Sequence, residues 1–61
     1  MATIYTRYIQ GIKVRLGKYS DNEFVIYVGS KLYAIIDNLA DAYREYNAVN
    51  SATVEYVNPR F

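Results

Sequence analysis

The stretch Glu23–Asn47, EFVIYVGSKLYAIIDNLADAYREYN, decides the fold. Two apolar runs, 23–28 and 31–36, flank the dipeptide Gly29-Ser30. Glycine at the first central position of a two-residue loop suits a type II′ turn, because that position needs a positive φ. The turn predicts an antiparallel hairpin in which Val28 faces Lys31, Ile26 faces Tyr33 and Phe24 faces Ile35. The other face then carries Tyr27 with Leu32, Val25 with Ala34 and Glu23 with Ile36. Both faces of such a hairpin are apolar, and one helix covers only one of them. The uncovered face is expected to meet a partner.

A helix follows at once. Asp37 or Asn38 can cap its first turn, and Asp41 stands three residues beyond Asn38, a variant of the capping box. Leu39, Ala42, Tyr43 and Tyr46 fall at i, i+3, i+4 and i+7, a single apolar stripe. Asn47 or Asn50 can end the helix in the left-handed conformation. A competing reading starts the helix at Ser30 and runs it from Lys31 to Asn47. The β-branched and aromatic run around Gly-Ser favours the hairpin.

Working outward, residues 3–16 read as one strand with a bulge or bend at Gly11, since Ile12, Val14 and Leu16 alternate with Lys13 and Arg15. Residues 17–22, GKYSDN, read as a loop. Residues 52–57, ATVEYV, read as a last strand that stops near Asn58-Pro59. The expected fold is α+β: a small antiparallel sheet of three to four strands, in the order β-β-β-α-β, with one helix on one face. Residues 1–61 form a single small domain, with a core of Ile12, Val14, Leu16, Phe24, Ile26, Ile35, Leu39, Tyr43 and Tyr46.

Composition narrows the chemistry. Cysteine and histidine are both absent, which removes disulfides, Cys-based zinc sites and the usual general base. Three scattered glycines make no phosphate loop, and the serines have no histidine to activate them. No enzyme activity, cofactor or metal is expected; Asp37 and Asp41 read as a cap and a first-turn acid favoured by the helix dipole. Seven basic against six acidic side chains leave a net charge of +1, too balanced to announce nucleic acid by itself. No apolar run approaches the ~20 residues of a membrane span. The opening Met-Ala-Thr-Ile is unlike a signal peptide, so a cytoplasmic location (host cytoplasm for a viral protein) is expected. Eight tyrosines and an apolar fraction of 52% suit cores and binding surfaces alike.

Two surfaces are candidates. Val25, Tyr27, Leu32 and Ala34 make up the uncovered apolar face and are the expected protein-binding residues, in a chain expected to form a homodimer. Lys13, Arg15, Lys18 and Lys31 with Tyr33 make up the alternative, a basic and aromatic surface that grips phosphates and stacks bases.

The run from Gly11 to Asn47, 37 of the 61 residues, resembles AP2-type and integrase arm-type DNA-binding domains. Its matching pieces are GIKVRLGKYSDNEFVIYV, GSKLYAIID and LADAYREYN, and the resemblance implies a three-stranded sheet backed by a helix. It also implies a DNA-reading sheet face, for which Lys13, Arg15, Lys18 and Lys31 are the available cations. NEFVIYV, DNLADAYREY and ATVEYVNP are similar in plan to small phage-encoded proteins that bind and inhibit host enzymes. That likeness implies a phage or mobile-element protein that blocks a host or defence protein. An accessory structural subunit of a viral assembly is the further alternative.

Overall fold

The computed structural model describes residues 1–58. Four strands, β1 (Ala2–Ile9), β2 (Ile12–Ser20), β3 (Glu23–Val28) and β4 (Lys31–Ile36), precede two helices, α1 (Leu39–Ala48) and α2 (Ser51–Val57). The strands form one antiparallel sheet in the order β1-β2-β3-β4. The fold is therefore α+β, with the order β-β-β-β-α-α in place of the expected β-β-β-α-β. Among the described residues, no helix is long and apolar enough to cross a membrane.

Residues 3–16 are not one strand. Gln10 (φ 53°) and Gly11 (φ 77°) both adopt left-handed backbone and bring Ile9 opposite Ile12. Two central residues with positive φ are the signature of a type I′ hairpin turn, so Gly11 reverses the chain rather than bending it. β2 then runs on to Ser20, and the expected loop at 17–22 contracts to the turn at Asp21-Asn22.

The β3–β4 hairpin forms as expected at its turn. Gly29 has φ 64°, and Val28 and Tyr27 stand opposite Lys31 and Leu32. Beyond that point the register shifts. Ile26 pairs with Ala34, Val25 with Ile35 and Phe24 with Ile36, leaving Tyr33 as the extra residue of a β-bulge. One inserted residue exchanges the two faces of everything after it. Ala34 and Ile36 turn to the helices, and Ile35 turns away. Residues 31–36 are strand, which disposes of the longer helix.

Asn38 caps α1, its side-chain oxygen accepting from the Asp41 amide at 2.8 Å while its amide nitrogen donates to the Asp41 and Asp37 carboxylates. Asn50 then opens α2 where a strand was expected. Its side chain accepts from the Thr53 amide at 3.1 Å, and its own amide donates to the Thr53 hydroxyl. The expected stop at Pro59 lies outside the described residues.

Both helices pack on one face of the sheet. Val14, Leu16, Phe24, Ile26 and Val28 meet Ala42, Tyr46, Val49 and Val54 in one buried cluster. Of the core residues expected from the sequence, Ile35 (59% exposed), Leu39 (42%) and the half-buried Tyr43 are outside it, Ile12 packs against it half-buried, and the rest belong to it.

Candidate functional site

The strand register arranges the helix-free face in rows. Tyr8 and Lys13 make the first. Thr6, Arg15, Tyr27 and Leu32 make the second, and Thr3, Gly17, Val25 and Ile35 the third. Glu23 ends β3 on the same side as Val25 and Tyr27, by the two-residue period of a strand. Together with Asn22, Ile35, Ile36 and Asp37 it lines a shallow depression of about 460 Å3 at this end of the sheet. The face thus grades from basic and aromatic, through apolar, to acidic.

Its centre is ordered without a covering helix. The Arg15 guanidinium lies over the Tyr27 ring, 5.0 Å from its centroid, and both side chains are half-buried. Met1 folds across Gly17, filling the space where any larger side chain would project. Val25, flanked by Gly17 and Ile35, is 3% exposed in spite of facing away from the helices. Around this floor Tyr8, Leu32 and Ile35 stand in solvent at 67%, 49% and 59% exposure. Leu32 and Ile35 are neighbours on β4, and adjoining exposed apolar side chains of this kind suit an interaction surface.

Of the expected protein-binding residues, Val25, Tyr27 and Leu32 share this face. Ala34 does not: the bulge at Tyr33 turns it to the helix side, and Ile35 takes its place. The expected nucleic-acid set is split more deeply. Lys13 and Arg15 are on the helix-free face. Lys18 pairs with Phe24 on the other side and meets Asp21 at 3.3 Å. Lys31 pairs with Val28, and its ammonium donates to the Val57 carbonyl at 2.9 Å. Tyr33 occupies the bulge on the edge strand β4 and is 39% exposed. Five residues expected on one surface therefore divide between two faces and an edge.

Sequence reasoning missed Tyr8, Ile35 and Met1 on this face, and Arg7 on the other. Locating the first three needs the turn at Gln10-Gly11 and the bulge at Tyr33, neither of which has a strong local signal. Arg7 pairs with Val14 in register, and one guanidinium nitrogen donates to the Tyr46 and Val49 carbonyls at 2.7 and 2.6 Å. It also lies 4.9 Å from the centroid of the Tyr46 ring, which Tyr5 approaches at 6.2 Å. Burial raises the Tyr46 phenol above its ordinary value of 10.0, and the Arg7 charge opposes that rise. Arg7 is a clamp on the end of α1 rather than a surface cation.

Among the described residues, no three or more metal-ligating side chains converge. Asp37 and Asp41 are engaged by Asn38, and Asp41 also by Arg44. Comparison with protein-family models, with curated proteins and with solved structures found no match.

Proposed function

We propose that this chain is a non-catalytic protein-binding module that docks through the helix-free face of its sheet. The observation that supports it most is the exposure of Leu32 and Ile35 beside the ordered Arg15–Tyr27 pair and the buried Val25. Binding energy concentrates in tyrosine and arginine held rigidly within an apolar surround, because little side-chain freedom is lost on association. A blocking role toward a host or defence protein would act through this same surface.

The test uses Leu32→Asp combined with Ile35→Asp, since both side chains are exposed and their replacement leaves the core intact. Association with protein, read by sedimentation and by capture from lysate, should disappear in the variant while its circular dichroism, and its unfolding midpoint at high dilution, stay unchanged. Equal association by wild type and variant would overturn the reading.

A second reading has one observation in its favour. Lys13 and Arg15 share the face with Tyr8 and Tyr27, a pairing of cations and rings that suits single-stranded nucleic acid. It predicts anisotropy-detected binding of an oligonucleotide at low salt that falls steeply as salt rises. An absence of binding at low salt disposes of it.

A further inference from the structure

We infer that the occupant of the helix-free face is a second copy of this chain, laid face to face about a two-fold axis that runs across the strands. This rests on the protein-binding reading and names its partner.

The argument is the distribution of charge. Lys13 and Arg15 occupy the end of the face near the Gly29 turn, where the Gly29 amide donates to the Lys13 carbonyl. Glu23 and Asp37 border the opposite end. Lys13 marks the basic end and Glu23 with Asp37 the acidic end, and the rows of Arg15, Tyr27 and Leu32 and of Gly17, Val25 and Ile35 lie between them. Tyr27 and Glu23 are four residues apart on β3, so about 13 Å separates the aromatic row from the acidic end. A surface with both signs at opposite ends is complementary to itself when turned end for end.

The symmetry follows. In a two-fold interface every contact between residue i and residue j is made twice. An axis parallel to the strands would set Lys13 and Arg15 against their own copies, with like charges facing. An axis crossing the strands sets the Tyr8–Lys13 row over the Glu23–Asp37 end, and the Arg15–Tyr27–Leu32 row over the Gly17–Val25–Ile35 row. Apolar meets apolar, Lys13 meets the acidic end, and Arg15 keeps its own partner, the Tyr27 ring beneath it. A nucleic acid would be attracted at one end and repelled by Glu23 and Asp37 at the other. An acidic protein would be repelled in the same way.

The two longer extents of the molecule, 38 and 19 Å, give a projected footprint of about 720 Å2. Standard interfaces bury roughly 800 Å2 per partner, so the dimer is at the small end of that range.

The experiment is a charge-swap pair, Lys13→Glu and Glu23→Lys, with wild type alongside, followed by sedimentation equilibrium. Both positions are exposed, so both variants keep the fold. Each variant alone places like charges across the interface twice and should self-associate about tenfold more weakly. An equimolar mixture restores both pairs. The acid introduced at position 13 of one variant faces the base introduced at position 23 of the other, and the unaltered Lys13 faces the unaltered Glu23. The mixture should therefore dimerise as wild type does. A mixture no stronger than either variant overturns the arrangement, as does a wild type that stays monomeric at about 1 mM. A monomer that captures a foreign protein, with capture abolished by the Leu32→Asp and Ile35→Asp pair, overturns this inference and leaves the protein-binding reading standing. A monomer that captures nothing overturns both.

Discussion

Arg7 carries the polar work of the core. α1 has no basic residue in its last turn, so no side chain on the helix itself offsets the negative end of its dipole. β1 supplies the missing cation from across the sheet, and the Tyr46 and Val49 carbonyls accept from it. The Arg7 Nε is buried with no hydrogen-bond partner, a cost that the two charge-assisted bonds offset. Arg7→Met keeps the apolar stem but removes the charge-assisted bond from both carbonyls, leaving the Tyr46 carbonyl only the Val49 amide, and should lower stability by about 2–4 kcal/mol in urea denaturation. Arg7→Lys should recover only part of this loss, since an ammonium lacks the planar fork. Tyr46 yields a pH prediction. Its hydroxyl is 3.4 Å from the Val14 carbonyl oxygen, and an ionised phenolate there would face that oxygen without a proton between them. Burial disfavours the phenolate, so the folded state holds the phenol proton more tightly than the unfolded chain, with the Arg7 charge opposing in part. This contribution to stability is complete below pH 10.0 and declines as pH rises from 10.0 through the higher folded value. Arg7→Met removes the opposing charge, so the decline should extend to higher pH, followed by tyrosinate absorbance and denaturation at each pH.

At the scale of elements, legibility tracked how local the deciding interaction is. The β3–β4 turn and the start of α1 were readable because Gly29 and Asn38 act on their own neighbours. The Gln10-Gly11 turn was not, because glutamine is a poor choice for left-handed backbone and the run around it is continuously β-prone. Replacing Gln10 by Asn, which tolerates that conformation, should raise stability by about 0.5–1 kcal/mol, measured as a shift in denaturant midpoint at constant slope. Residues 51–57 failed for the opposite reason. Thr53, Val54 and Val57 are β-branched and read as strand, whereas the Asn50 cap and the burial of Val54 against the sheet impose a helix. Asn50→Ala should cost about 1 kcal/mol and reduce helical ellipticity, because the cap is the local signal that competes with strand propensity. The bulge at Tyr33 has no local signal. It follows from fitting Phe24 and Ile26 against Ile36 and Ala34 beneath the helices, and that packing is a property of the whole sheet. Three of the four expected partner-binding residues precede or adjoin the turn and kept their face; Ala34, beyond the bulge, lost it.

The molecule as a whole is short of interior. A domain of this size buries only about 60% of the surface its unfolded chain exposes, and such domains are marginal unless something else contributes. Both helices are committed to one side of the sheet, so among the described residues no element covers the remaining apolar surface, Leu32 and Ile35 foremost, and a second molecule would bury it. A ligand that binds the folded chain and not the unfolded one stabilises it by mass action, and a second copy is a ligand whose concentration is that of the protein. The thermal midpoint of the wild type should therefore climb with protein concentration, by about 5 °C over a hundredfold range that spans the dissociation constant. Salt should shrink that slope, because the end-to-end charge attraction is screened while the apolar rows are not. The Leu32→Asp and Ile35→Asp pair should flatten it altogether while leaving the midpoint at high dilution near that of wild type. A wild-type midpoint independent of concentration, in calorimetry from about 10 μM to 1 mM, would mean that the helix-free face contributes nothing to folding through self-association.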